Sequence, residues 1–127
     1  MVSQKLTILC VDDEETALFF RKRVLQKSGF DVVTASSAAQ AMEILLTEKI
    51  NLVLSDVLMP GTLGTELAKL VKQAHMGIPV VLISGVNDLP PEASYADLFI
   101  SKLEGPVALC EKLQNLLKPS ISAASKN

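Results

Sequence analysis

The chain has 127 residues, 49% of them hydrophobic and only 4% aromatic, which predicts a single domain with an aliphatic core. This composition excludes an intrinsically disordered chain and does not fit a small secreted disulfide scaffold. Twelve Lys and Arg against fourteen Asp and Glu give a net charge of −2, so the basic excess typical of a nucleic-acid-binding protein is missing.

The chain carries no pattern typical of secretion or membrane insertion. Its first residues lack the apolar stretch of a signal peptide, and no apolar run approaches the roughly 18 residues of a membrane span. Cys10 and Cys110 lie in apolar segments without metal-ligand or redox spacing, so we expect buried free thiols. We therefore expect a cytoplasmic protein that neither inserts into membranes nor binds nucleic acid directly.

Hydrophobic periodicity predicts nine elements in which strands and helices mostly alternate. Gly29 is placed to cap the end of the first helix, Ser37 and Gln40 form a capping-box pattern, and Pro106 fits a first helical position. In chain order we predict strand 6–11, helix 15–27, strand 30–34, a helix from Ser37, strand 51–55, helix 63–74, strands 78–83 and 97–101, and helix 106–117.

The apolar character of the middle strands predicts the sheet type. These strands are continuously apolar rather than alternating, which is typical of parallel strands covered by helices on both faces. With right-handed crossovers, the result is a three-layer α/β/α sandwich. Functional residues of such sheets collect at the carboxyl ends of the strands.

Five polar residues follow the predicted strands at that edge. Three of them are acidic and would repel one another unless a cation lay between them, and hard oxygen ligands of this kind suit Mg²⁺. The five are Asp12 and Asp13 after the first strand, Asp56 after the third, Ser84 at the end of the fourth and Lys102 after the fifth. The set predicts a metal site flanked by a lysine that could neutralise a phosphoryl group.

Each residue alone also has an ordinary structural explanation. Asp12 or Asp13 could cap the first helix, Asp56 could be a loop residue, and Lys102 could be a solvated charge. His75 near the end of the third helix is best explained as a solvated charge, and the basic cluster around Arg21 as a solvated helix face. Only the joint placement of the five residues at one edge favours a functional site.

Four sequence motifs resemble the receiver domain of bacterial two-component response regulators. The resemblance extends over about residues 6–117 and implies a flavodoxin-like five-stranded parallel sheet of order 2-1-3-4-5. The matching motifs are Val11-Asp12-Asp13-Glu14, Asp56-x-x-Met59-Pro60-x-x-x-Gly64, Ile83-Ser84-Gly85 and Phe99-x-x-Lys102.

The resemblance also implies a role for each site residue. Asp56 would accept a phosphoryl group from the phosphohistidine of a sensor histidine kinase or histidine phosphotransfer protein. The Mg²⁺ ligands would be Asp13, Asp56 and the backbone carbonyl of Leu58, with Asp12 acting through a water. Lys102 and Ser84 would contact phosphoryl oxygens, and Phe99 would turn inward, so that phosphorylation switches the conformation read by an unspecified downstream partner or domain.

Leu103 and a short interval before Lys102 depart from the family pattern, and two aliphatic residues flank the expected path of attack. Leu103 stands where the family usually has Pro, and the interval between Ser84 and Lys102 is short by roughly one helical turn, with two prolines that predict a shortened or irregular fourth helix. The residues two positions after Asp56 and Ser84 are aliphatic, so neither can orient a hydrolytic water. We therefore expect a long-lived phosphoryl group.

The sequence predicts a switch rather than a turnover enzyme, formed by a receiver domain over residues 1–118 and a flexible tail over 119–127. One alternative is a phosphohydrolase of the haloacid dehalogenase kind, but that mechanism needs an acid at the position that Leu58 occupies. The other alternative is a receiver-like interaction module that works without phosphorylation.

Overall fold

A computed structural model of the protein describes residues 5–57, 64–74, 77–85 and 96–117. Five strands form one sheet, and four α-helices and one short 3-10 helix surround it within these ranges. In chain order the elements are β1 (Thr7–Val11), α1 (Glu15–Lys27), β2 (Asp31–Ala35), α2 (Ala38–Thr47), β3 (Leu52–Asp56), α3 (Gly64–Ala74), β4 (Val80–Ser84), β5 (Leu98–Ser101), the 3-10 turn (Lys102–Glu104) and α4 (Gly105–Leu117).

All neighbouring strands are parallel, and their order is β2-β1-β3-β4-β5. Both the predicted three-layer class and the strand order implied by the resemblance are therefore confirmed. The central strands β3 and β4 are buried along their whole length, as their continuous apolar character predicted.

Two hydrophobic clusters fill the space between the sheet and its helices. One cluster lies under α2 and α3 and includes Leu9, Val53 and Leu82, while the other lies under α1 and α4 and includes Cys10 and Leu54. Because successive strand residues point to opposite faces, neighbours such as Leu9 and Cys10 belong to different clusters. Counting positions along a strand therefore indicates which helix layer faces a residue that lies just beyond the strand's end.

The predicted caps are present, with one difference in partner. Gly29 follows α1 with φ of 100°, a conformation that glycine adopts without strain. The Ser37 side chain accepts from the Gln40 N–H at 3.1 Å. The Gln40 side chain, however, accepts from the N–H of Ser36 at 2.7 Å rather than from that of Ser37, so the capping box is displaced by one residue.

Some predicted boundaries were wrong by one or two residues. The second strand was predicted to begin at Phe30, but the Phe30 N–H donates to Leu25 O and completes the end of α1. The first sheet bond is therefore made by the N–H of Asp31 to Leu6 O, and the strand runs one residue further, to Ala35. Likewise α4 begins at Gly105 rather than at Pro106.

Several predictions concern residues outside the described ranges. They are the irregular fourth helix between β4 and β5, the Leu58 carbonyl ligand, the solvated His75 and the tail at 119–127. Within the described part of the chain, no helix is both long and apolar enough to span a bilayer.

Candidate functional site

The carboxyl edge of the sheet collects the charged residues on one face. Asp56 ends β3, Asp12 lies one residue beyond β1, and Lys102 lies one residue beyond β5. Each of the three lies two residues after a residue of the cluster under α1 and α4, namely Leu54, Cys10 and Ile100. Because alternate strand residues point to the same face, the three charged side chains lie on that face of the sheet. The topology therefore brings residues far apart in sequence to a single site beside α1.

Three carboxylates meet at this edge. One oxygen from each of Asp12, Asp13 and Asp56 lies within 4.8 Å of the others. Asp12 and Asp56 are buried, at 3% and 6% exposure, whereas Asp13 is exposed. Acidic groups this close are stable only if cations or hydrogen-bond donors offset their repulsion.

Lys102 provides one such cation. Its Nζ lies 2.9 Å from Asp56 Oδ1, and nearly half of the lysine side chain is exposed while the aspartate is buried. Burial raises the pKa of Asp56 above its ordinary value, the hydrogen bond from Lys102 opposes that rise, and the charge of Asp12 adds to it. The same hydrogen bond raises the pKa of Lys102. The ammonium is therefore retained at neutral pH.

Arg21 provides the second cation, and the sequence analysis missed it. Its Nη1 lies 3.1 Å from Asp12 Oδ2, and only 12% of the arginine side chain is exposed, so the predicted solvated face is wrong for this residue. A usable signal was present, because Arg21 falls three residues after Leu18 and four before Leu25, on the buried stripe of α1. The other oxygen of Asp12 accepts from the Glu14 N–H at 3.0 Å.

Ser84 and Phe99 lie close to this edge on neighbouring strands. Asp56 pairs with Ile83, so Ser84 stands one residue beyond it at the end of β4, where it is 3% exposed. Phe99 pairs with Leu82 in the middle of β5 and packs, half-buried, against the cluster under α2 and α3. By the alternation of strand residues, both side chains therefore belong to the sheet face under α2 and α3, opposite to the face that carries Asp56 and Lys102.

A network of short-range bonds holds the turn that carries Lys102. The Ser101 side chain accepts from the Leu103 N–H at 3.1 Å, and the Glu104 side chain accepts from the Ser101 N–H at 3.1 Å. The other oxygen of Glu104 pairs with Lys112 of α4. This capping box forms the 3-10 turn at the position where Leu103 replaces the usual Pro, and no described residue has a cis peptide bond.

A model of the response regulator receiver domain matches residues 8–114. The chain belongs to this family. It is 31% identical over 120 residues to the transcriptional regulatory protein YvrH of Bacillus subtilis, covering 91% of this chain and 50% of YvrH. Over 81 residues it is 35% identical to the alkaline phosphatase synthesis transcriptional regulatory protein PhoP of the same organism, covering 64% of this chain and 34% of PhoP. The chain thus spans half or less of these curated relatives.

A solved structure shows the same receiver fold. The response regulator receiver domain protein of Clostridium thermocellum superposes with a TM-score of 0.84 at 25% identity, covering 93% of this chain and 98% of that one. The family resemblance inferred from the four motifs is therefore confirmed.

One glycine of the receiver motif has a steric reason to be glycine. A Cβ on Gly64 would overlap the backbone carbonyl oxygen of Asp56 and would lie 3.0 Å from the Cα of Val57. The N–H of Gly64 donates to Val57 O at 2.6 Å. The start of α3 is thereby held directly against the end of β3, next to the candidate phosphoacceptor.

The acidic group fits the Mg²⁺ that receiver domains bind in an acidic pocket. Among the described residues, no hydrogen bond or ion pair reaches the Asp13 carboxylate or Asp56 Oδ2, so both offer hard oxygen ligands. Both oxygens of Asp12 already accept hydrogen bonds, which suits contact with the metal through water. The Leu58 carbonyl, the remaining predicted ligand, lies outside the described residues.

Proposed function

We propose that this receiver domain accepts a phosphoryl group on Asp56 from the phosphohistidine of a sensor histidine kinase or histidine phosphotransfer protein. Mg²⁺ held by the acidic group assists the transfer, and the aspartyl phosphate switches the conformation of the domain. The full activity and the downstream partner of the protein are part of this proposal, because the relatives extend well beyond the matched region.

The observation that carries the proposal is the environment of Asp56. One oxygen is paired with Lys102 at 2.9 Å, and no residue in the described ranges pairs with the other; one carboxylate oxygen of Asp56 also lies within 4.8 Å of oxygens of Asp12 and Asp13. A buried carboxylate with one oxygen held and one oxygen open is suited to nucleophilic attack along a fixed direction.

The proposed step forms one bond and breaks another. A carboxylate oxygen of Asp56 attacks phosphorus, the P–N bond to the donor histidine breaks, and the imidazole leaves with that electron pair. When bound, Mg²⁺ supplies charge neutralisation for the phosphoryl oxygens. Lys102 is released from the carboxylate and pairs with a phosphoryl oxygen of the product, which carries more negative charge than the carboxylate did.

Ser84 and Phe99 are the proposed switch residues. Ser84 lies at the end of β4, next to the Asp56 strand, where its hydroxyl could donate to a phosphoryl oxygen. Phe99 would then turn further inward against the α2 and α3 side, where it is already half-buried. Because Phe99 lacks a hydroxyl, its contribution is packing alone.

Intact-mass spectrometry after incubation with acetyl phosphate and Mg²⁺ tests the proposal. We expect one added phosphoryl group on the wild-type chain and none on Asp56→Asn, which keeps the shape but removes the nucleophile. An unmodified wild-type mass under conditions that modify a known receiver would favour the interaction module instead. Steady release of phosphate from a small phosphomonoester would favour the phosphohydrolase.

A further inference from the structure

Arg21 is the charged residue in the site to which the proposed transfer gives no role. It reaches from the buried stripe of α1 to Asp12 Oδ2 at 3.1 Å, and its side chain is only 12% exposed. Of the neighbouring basic residues on α1, Arg23 lies over the ring of Phe19, with its Cζ 5.6 Å from the ring centroid, and is exposed. A buried arginine paired to one member of an acidic triad therefore acts on that triad.

The charges of the site explain what such an arginine changes. Three carboxylates with Lys102 and Arg21 leave one net negative charge. A divalent cation converts this to one net positive charge, and phosphorylation of Asp56 from a carboxylate to a dianion returns the loaded site to neutrality. Without Arg21, the empty site would be more negative and would attract a cation more strongly, while the loaded site would keep an uncompensated negative charge.

We infer that Arg21 is a positioning residue that sets the Mg²⁺ affinity of the receiver site, by holding Asp12 and by placing a fixed positive charge beside the metal. This inference rests on the proposed function, because it concerns the same acidic group. Arg21 competes with the metal in two ways, since it occupies Asp12 Oδ2 and repels the ion. It also offsets the repulsion between Asp12 and its acidic neighbours when the metal is absent.

The expected size of the effect follows from Coulomb's law. A unit charge roughly 6 Å from a divalent cation in a water-like dielectric changes a binding constant by about tenfold. Screening by salt reduces this figure at ordinary ionic strength, so we expect about three- to tenfold tighter Mg²⁺ binding in Arg21→Met. Arg21→Lys keeps the charge but loses the forked geometry, so its affinity should stay near that of the wild type.

The experiment is calorimetric titration of Mg²⁺ into the purified chain and its variants. The control Arg23→Met removes the same charge from the exposed side of α1 and should leave the affinity within about twofold of wild type. Arg21→Gln serves as a second uncharged variant, and circular dichroism shows which variants are folded. Tighter binding is informative, because a merely structural loss at this position would weaken the site rather than strengthen it.

The outcomes separate this inference from the proposed function. Tighter binding in Arg21→Met or Arg21→Gln, with recovery in Arg21→Lys and no change in Arg23→Met, supports the role of Arg21. Unchanged or weaker binding in the folded uncharged variants overturns it, even if the wild-type chain binds Mg²⁺ and is phosphorylated. A wild-type chain that takes up no Mg²⁺ overturns the metal site itself, and this inference with it.

Discussion

The contact between Gly64 and the end of β3 makes a sharp stability prediction. In Gly64→Ala the new methyl group would overlap the Asp56 carbonyl oxygen and crowd the Asp56 carbonyl carbon at 3.1 Å. Both of these atoms belong to the backbone of a buried central strand, so neither can rotate away. The beginning of α3 must therefore move outward, which also weakens the 2.6 Å hydrogen bond from Gly64 N–H to Val57 O.

The cost can be summed from the two effects. Overpacking of a dense interior costs about 1–3 kcal/mol, and a weakened backbone hydrogen bond costs about 1 kcal/mol. The higher helix propensity of Ala returns up to about 1 kcal/mol. We expect a net loss of about 1–4 kcal/mol, or a melting temperature lower by roughly 3–16 °C for a domain of this size.

Urea unfolding followed by far-UV circular dichroism measures the loss. Glu66→Ala, on the exposed side of the same helical turn, is the control and should change stability by less than about 1 kcal/mol. Gly64→Ala within about 0.5 kcal/mol of wild type would refute the steric explanation of this motif position.

Three further predictions concern other parts of the molecule. Asp97→Ala should lower the free energy of unfolding in urea by about 1–2 kcal/mol, because Asp97 Oδ2 accepts from Lys72 Nζ at 2.6 Å and from the Val80 N–H at 2.7 Å. Asp97→Asn keeps an acceptor and should lose less stability. Equal losses in the two variants would count against the bond to Val80. Cys10 should resist thiol reagents at neutral pH until the chain unfolds, because it is fully buried and desolvation raises its pKa to about 12. Rapid labelling of this thiol in the folded chain would contradict its burial. The phosphorylated chain should keep labelled phosphate for minutes or longer, given the aliphatic residues two positions after Asp56 and Ser84, and loss within seconds would show that another group directs water to the site.

The sheet and most of the residues at its carboxyl edge could be predicted, because both follow from where the strands lie in the sequence. Continuous apolar runs identified β3 and β4, and the polar residue that ends each run had to lie at the carboxyl edge. At this edge the structure pairs Lys102 with Asp56, two residues of opposite charge. The ends of the strands were less predictable. The N–H of a residue such as Phe30 can donate either to the preceding helix or to the neighbouring strand, and the sequence does not decide between the two.

The remaining parts of the site depend on contacts between elements that periodicity does not describe. The pairing of Arg21 with Asp12 requires α1 to lie at one particular distance and rotation over the end of β1. The capping box from Ser101 to Glu104 requires a turn whose geometry the sequence 101–104 permits but does not dictate. Gly64 was recognised as part of a motif, but its reason, the close approach of α3 to a backbone carbonyl, exists only in three dimensions.

The central claim is that Asp56, and no neighbouring acid, takes on the phosphoryl group. Borohydride reduction of the phosphorylated chain converts an acyl phosphate into homoserine, which tandem mass spectrometry of peptides can locate. We predict homoserine at position 56 only when both Mg²⁺ and the phosphodonor are present. Homoserine at position 12 or 13, or at no position in a chain that has gained phosphate, would contradict the account.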